Sequence, residues 1–312
     1  IRESSERPAH GRQHENVGPL ARLVAVLLLL SAATWPGPGN ACNGVQLQVL
    51  GSGGPELNDG RRSSAYLVWH RGKARVLLDA GTGSSVAFGE AGADFADLDA
   101  LLLTHLHTDH AADLPAFIKG SFFTARDRDL LLAGPSGNDR MPATTSFAQA
   151  LFGADGAFRY LGSYLDGTEA YRLLPRNMPA DGAGGVRDEG WHASSLPVRH
   201  GPIPALAWRL TIGGCVIVYA GDMAAAPDGF TAFAADADLL LLHSAIPGDA
   251  GPVARSLHMP PGALAALARQ LAPGHLLISH FMKRSEQASK ESFRELNMPV
   301  TLAADGMTVS PE

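Results

Sequence analysis

A layered α/β fold is predicted by three features of this chain. After residue 44 it opens on alternating apolar strands separated by glycine turns. Its later apolar runs are short and unbroken, as strands covered on both faces are, and one sharply bounded helix stands between the last two of them. With 312 residues, 46% hydrophobic and 18% charged, the chain has enough apolar material for a large core and too little charge for disorder. That length fits one large α/β domain or two average ones.

The first 41 residues read differently from the rest. Arg12 and Arg22 precede the run Leu23 to Ala33, which is apolar apart from Ser31 and shorter than the roughly 20 residues that cross a bilayer. Pro36, Gly37, Pro38 and Gly39 break any helix, and Gly39, Asn40 and Ala41 offer the small residues that a signal peptidase reads. Residues 1–41 are therefore predicted to be a secretory signal and residues 42–312 the mature domain, periplasmic or secreted, with no membrane partner after cleavage. A core helix, an uncleaved anchor and a lipid anchor on Cys42 are the competing readings. Cleavage removes four Arg and three Glu, so the mature chain is more acidic than the net charge of −6 for the whole. It lacks the diffuse basic field on which non-specific nucleic-acid binders depend. Export would place Cys42 and Cys215 in an oxidising compartment, where they pair if the fold brings them together; a buried small hydrophobe is an equal reading of Cys215. Two cysteines make neither a disulfide framework nor a four-thiolate metal site, which directs attention to the twelve histidines.

The elements follow in order. Val45 to Leu50 alternates with Gln46 and Gln48, and Gly51 to Pro55 turns the chain. Ala65 to Trp69 and Arg75 to Leu78 form the next two strands, joined through the hairpin signal Arg71-Gly72, so the chain opens on an antiparallel sheet. Leu101 to Thr104, Cys215 to Ala220, Leu239 to Leu242 and Leu276 to Ser279 are continuously apolar. A helix lies between the last two, with Pro260-Pro261 at its start, Ala263 to Leu271 as its body and Pro273-Gly274 as its stop. Residues 181–190 are rich in glycine and charge and read as a flexible surface loop. Gly51 to Pro55 is a plain turn rather than a phosphate cradle, because no Lys-Ser or Lys-Thr and no helix follows it.

The decisive segment runs from Leu101 to His110. Three histidines and an aspartate, His105, His107, Asp109 and His110, fall within six positions directly after a buried strand. Alternation puts His105 and His107 on one side, and the turn redirects Asp109 and His110 to a neighbouring side, so one loop can serve two ions. Zinc, borderline-soft, favours such nitrogen and carboxylate ligands, and other divalent metals are compatible with them.

This segment resembles the His-x-His-x-Asp-His signature of the metallo-β-lactamase superfamily, which implies a four-layer αβ/βα sandwich. Asp79, in Leu-Leu-Asp-Ala-Gly, resembles the family's structural aspartate behind the metal loop. His200 resembles the third histidine of the first metal site, Asp222 the bridging carboxylate and His280 the last ligand, each after an apolar strand. The resemblance thus implies one ion on His105, His107 and His200, a second on Asp109, His110 and His280, and Asp222 between them. Two such zinc ions share a hydroxide and clamp the oxygens of a displacement, which implies hydrolysis. Asp109 can also hold or receive a proton, and spacing does not apportion the two roles.

A carboxylate at Asp222 favours the phosphodiesterase-like branches of the superfamily over the lactamase branch. The stretch from Asp238 to Ala245, then His258, the Ala-rich helix and Ile278 to Phe281, resembles the ribonuclease Z-like subgroup, where a histidine matching His258 is implicated as proton donor or substrate clamp. His243 is as readily a packed strand residue as a neighbour of the site. Transfer RNA processing is expected to fit poorly, since residues 181–190 hold Arg187 against Asp181, Asp188 and Glu189 where an RNA-holding arm would be basic. No nucleic-acid partner is therefore expected. Arg126 and Arg128 read as a solvated helix face, while Lys283 and Arg284 are either a site rim or ordinary surface charge. The expected protein is a binuclear zinc hydrolase of a small anionic ester, namely a phosphodiester, phosphate ester or sulfate ester, with His258 and Asp109 as its proton-handling groups. A lactonase or other carboxylic-ester hydrolase on the same metals, and a zinc-binding module without turnover, are the alternatives. A homodimer is left open.

Overall fold

The computed structural model describes residues 42–182 and 184–311. The leader expected over residues 1–41 lies outside the described residues. The chain begins with β1 (Val45–Gly51), β2 (Ala65–His70) and β3 (Lys73–Leu78), then α1 (Ser84–Glu90), β4 (Ala100–Leu102), α2 (Thr108–Ala111) and α3 (Leu114–Ser121). It continues through β5 (Leu130–Pro135), α4 (Thr144–Phe152), α5 (Ser163–Asp166), β6 (Leu173–Met178) and three long pairings, β7 (Gly184–Asp188), β8 (Trp191–His200) and β9 (Ile203–Ile212). The remainder is β10 (Cys215–Tyr219), α6 (Phe230–Phe233), β11 (Leu239–His243), α7 (Pro252–Leu257), α8 (Pro261–Leu271), β12 (His275–Ser279), α9 (Glu286–Phe293), β13 (Val300–Leu302) and β14 (Thr308–Val309).

The strands form two seven-stranded sheets. The first has the order β14-β1-β2-β3-β4-β5-β6 and the second β13-β12-β11-β10-β9-β8-β7. Period-two alternation divides the first sheet cleanly. Val45, Leu47, Val49, Tyr66, Val68, Val76, Leu78, Ala100 and Leu102 turn toward the second sheet. Leu67, Leu77 and Leu101 turn outward, where Phe88, Phe117, Ile118 and Phe152 from α1, α3 and α4 cover them. The second sheet is covered by α8, through Leu264, Ala265, Leu267 and Ala268, and by Phe293 of α9. Helices, sheet, sheet, helices is the four-layer αβ/βα sandwich expected.

Two expectations are corrected. Residues 184–188 are a strand rather than a flexible loop, paired in register with β8 from Gly184–Ser195 to Asp188–Trp191. The ten-residue β8 offers a complete ladder, and that pairing overrides the weak strand propensity of Gly184 and Gly185. Arg126 and Arg128 do not form a solvated face either. Arg126 is buried, donating to the carbonyls of Phe95, Leu98 and Asp129, and Arg128 donates to the Asp99 carboxylate. Both arginines staple the chain around the start of β4. Cys42 and Cys215 form a disulfide across a sequence separation of 173 residues, with Cα atoms 4.5 Å apart. Among the described residues, no helix is long and apolar enough to cross a membrane.

Candidate metal centre

Every predicted site residue except His258 leaves the carboxyl end of a strand or the loop after one, where an α/β sheet exposes functional groups. His105, His107, Asp109 and His110 follow β4 in the first sheet; His200 ends β8, Asp222 follows β10 and His280 follows β12 in the second. The site therefore sits on the seam between the sheets. Asp79, just after β3, anchors it. Its carboxylate accepts from the Thr104 amide at 2.6 Å, the Thr104 hydroxyl at 2.7 Å, the Tyr219 hydroxyl at 2.6 Å and His110 Nδ1 at 2.7 Å. Asp79 and His280 both have left-handed backbones, with φ of 57° and 58°. Such strain persists only where the surroundings fix it, and it marks both ends of this site.

The donor atoms converge. His107 Nδ1 lies 3.0 Å from His105 Nε2 and 3.3 Å from His200 Nε2. Ligands of one tetrahedral zinc, each about 2.0–2.1 Å from the metal, stand about 3.3 Å apart. On the other side, Asp109 Oδ2 lies 3.3 Å from His280 Nε2 and 3.6 Å from His110 Nε2. Asp222 spans the two sets. Its Oδ2 is 3.8 Å from His105 Nε2, 3.7 Å from His200 Nε2 and 3.6 Å from His110 Nε2, while Oδ1 is 3.4 Å from His280 Nε2. All seven residues named from the sequence thus meet at one place, and His258 stands beside them with Nδ1 3.8 Å from Asp222 Oδ2.

The donor set also fits cations by its hydrogen bonding. His200 Nδ1 donates to the Leu257 carbonyl at 2.8 Å, and His110 Nδ1 donates to Asp79, which turns Nε2 of each ring toward the centre. His110 Nε2, His258 Nδ1 and both nitrogens of His280 are buried with no hydrogen-bond partner. Buried polar atoms left so in a native site are where an ion or an ordered water fits. Charge points the same way. Burial holds His105 and His107 below the ordinary histidine range, in the neutral form that ligates. Burial would push Asp109 and Asp222 up, but the positive charges of His110 and His280 outweigh it and hold both well below the usual carboxylate range. Against the same burial, the carboxylates around His110 and His280 pull those imidazoles up. Three buried carboxylates, Asp79, Asp109 and Asp222, thus demand positive charge.

The sequence left His243 open between a packed strand residue and a neighbour of the site, and the structure places it against Asp222. His243, at the end of β11, sets Nδ1 2.7 Å from Asp222 Oδ1, while Nε2 lies 3.1 Å from the Tyr66 hydroxyl. Burial lowers its pKa to about 3, so the ring is neutral and its single proton holds the Asp222 carboxylate in place. The signal was its place one strand over from His280, since His243 pairs in register with Ser279. The glycine segment after β1 also belongs to the site's frame. A Cβ on Gly54 would lie 2.7 Å from His280 Cε1, and one on Gly81 2.3 Å from the Asp109 carbonyl oxygen. Lys283 and Arg284 are both exposed.

Comparison with known proteins gives a consistent picture. The family model described as "Beta-lactamase superfamily domain" matches residues 74–281. A ribonuclease Z of Mycobacterium bovis (strain BCG / Pasteur 1173P2) is 29% identical over 264 residues, which cover 81% of this chain and 91% of that protein. The short form of human tRNase Z shares the fold at a TM-score of 0.65 and 21% identity, over 86% of this chain and 99% of that one. Zn2+-bound PqqB from Methylobacterium extorquens shares it at 0.56 and 16%, over 85% and 99%. Relatives that carry the name of a ribonuclease overturn the expectation that no nucleic acid is a partner. Net charge is a sum over the whole molecule and does not decide what a local cationic centre accepts. The segment taken as the place of a missing RNA arm is an edge strand of the second sheet.

Proposed function

Because this chain belongs to the β-lactamase superfamily, as the match over residues 74–281 shows, we propose that it is a binuclear zinc hydrolase of phosphodiesters and related anionic esters. At the coarser level it is a metal-dependent hydrolase acting on ester bonds. The observation that carries the finer reading is Asp222, whose two oxygens lie within 3.4–3.8 Å of four histidines belonging to both predicted metal sets. His105, His107 and His200 would hold one ion, Asp109, His110 and His280 the other, with Asp222 shared. Divalent ions there supply Lewis acidity and a nucleophile at neutral pH.

The remaining work falls to the chain's own groups. The bond from His200 to the Leu257 carbonyl and that from His110 to Asp79 fix both tautomers before substrate arrives. His243 orients Asp222. His258, at the junction of α7 and α8, has a side chain 14% exposed, so it can meet a substrate oxygen while standing beside the centre. Burial holds its pKa at about 4 in the free site, and the negative charge of a bound phosphate ester raises it toward the range where it protonates a leaving oxygen. The Cys42–Cys215 disulfide supports the further proposal that the protein works in an oxidising compartment, periplasmic or secreted.

The test pairs metal counting with turnover on bis(4-nitrophenyl) phosphate, 4-nitrophenyl sulfate, a lactone, a β-lactam and a precursor transfer RNA. Two zinc ions per chain with phosphodiester cleavage dominant is the expected result. Dominant β-lactam or lactone turnover, or a single ion per chain, defeats the reading. Cleavage of the precursor RNA would identify the phosphodiester as RNA.

A further inference from the structure

The loop that bears the metal-site residues also forms one wall of a groove of about 550 Å³. Leu106 and Thr108 line it, and they alternate along the chain with His105, His107 and Asp109, so one short segment serves both the metal centre and the groove. The opposite walls come from α3 and from α4 with the segment after it, through Ala116, Phe147, Leu151, Phe158 and Tyr160. That size is within the range of small-molecule sites, about 300–1,000 Å³, and the lining has their composition, apolar and aromatic with few polar groups. Phe158 and Tyr160 are 36% and 65% exposed, apolar surface that a folded chain leaves in water at a cost.

Among the described residues that line the groove, Lys119 is the only charged one. Its ammonium lies 4.6 Å and 5.2 Å from the ring centroids of Phe122 and Phe123, two further aromatic side chains left 58% and 76% exposed. Positive charge set among aromatic rings is complementary to a ligand that is both anionic and aromatic. We propose that this groove is the subsite for an aromatic group carried by the ester substrate, with Lys119 meeting its negative charge. The proposal rests on the ester-hydrolase reading above and narrows it to aryl esters. Flat walls from Phe147, Phe158 and Tyr160 suit a ring, which stacks on them at little entropic cost.

The test uses a groove variant and two readouts. Ala116 is exposed on α3, so Ala116→Glu puts a carboxylate into the groove without disturbing the core, and glutamate is a good helix former. Tyr160→Ser removes an exposed wall. The first readout is kcat/KM for bis(4-nitrophenyl) phosphate against methyl 4-nitrophenyl phosphate, which share a leaving group and differ in the second ester group. Both variants are expected to lower the aryl diester by about tenfold and to leave the methyl diester within about twofold. The second readout, independent of turnover, is the fluorescence of 1-anilinonaphthalene-8-sulfonate with metal-free protein, whose affinity should fall about tenfold in both variants. Equal loss on the two diesters, or unchanged probe affinity, overturns the subsite. Displacement of the probe by dodecyl phosphate in preference to 1-naphthyl phosphate overturns the aromatic occupant. Probe binding that responds as expected, with no ester cleaved by the zinc-loaded wild type, sinks the hydrolase reading and leaves the groove as an aryl-anion site.

Discussion

Three histidines of this centre have their Nδ1 proton committed: His200 to the Leu257 carbonyl, His110 to Asp79 and His243 to Asp222. The first two commitments turn Nε2 inward, and the third steers a carboxylate. His243→Ala frees Asp222 Oδ1 to rotate, and zinc affinity is expected to fall about 10–100-fold, measured by competition with a chromophoric chelator. Unchanged affinity would make His243 a packing residue. His258 is testable through its leaving groups. His258→Ala should slow esters of poorly acidic alcohols by about tenfold more than activated nitrophenyl esters, because only the former need a proton on departure. Equal losses across a leaving-group series remove the proton-donor role. At this scale the His-x-His-x-Asp-His run was plain in the sequence, because its ligands crowd into one loop. His243 was not, because it meets Asp222 through the register of neighbouring strands, which no local spacing records.

At the scale of elements, legibility tracked coverage. β1 to β4, β10 to β12 and α8 were readable because each is a short apolar run closed by Gly, Pro or a charged turn. β7 was misread since all its residues but Val186 are glycine or charged, and only the ladder to β8 makes it a strand. The buried arginine was misread for a similar reason. Three carbonyls from two separate segments, those of Phe95 and Leu98 in one turn and that of Asp129, accept from Arg126, while its guanidinium lies 5.5 Å and 5.0 Å from the ring centroids of Phe95 and Tyr171. Nothing local in the sequence announces that. Arg126→Ala strands those carbonyls and is expected to cost about 3 kcal/mol, read from the urea midpoint at constant slope. A change under about 1 kcal/mol would show that water replaces the guanidinium without penalty.

For the whole molecule the dominant electrostatic fact is a set of three buried carboxylates that form no ion pair with any Lys or Arg among the described residues. Protons or metal ions must balance them. His110 and His280, raised by these carboxylates, hold protons in the metal-free protein at and above the ordinary histidine range, so metal must displace those protons to bind. Zinc affinity should therefore weaken as pH falls. Calorimetry in buffers of different ionisation enthalpy should show about one to two protons released per chain loaded. A heat independent of buffer would contradict the assignment of those charges.

The disulfide and the metal centre lie at opposite ends of the same strand. Cys215 opens β10, and Asp222 follows its close, on the order of 20 Å further along at strand rise. Cys42 precedes β1 of the first sheet, and the metal loop leaves β4 of that sheet, so each junction rivets one half of the sandwich to the other. Loss of the covalent rivet should cost about 2–4 kcal/mol, visible as a lower melting temperature in the Cys42→Ser, Cys215→Ser double variant. Rivets so far apart share no partners, and each holds without help from the other. Reductant and chelator should thus loosen the sandwich independently, their two penalties simply adding, and a protein that has lost either one keeps its halves clasped by the one that remains.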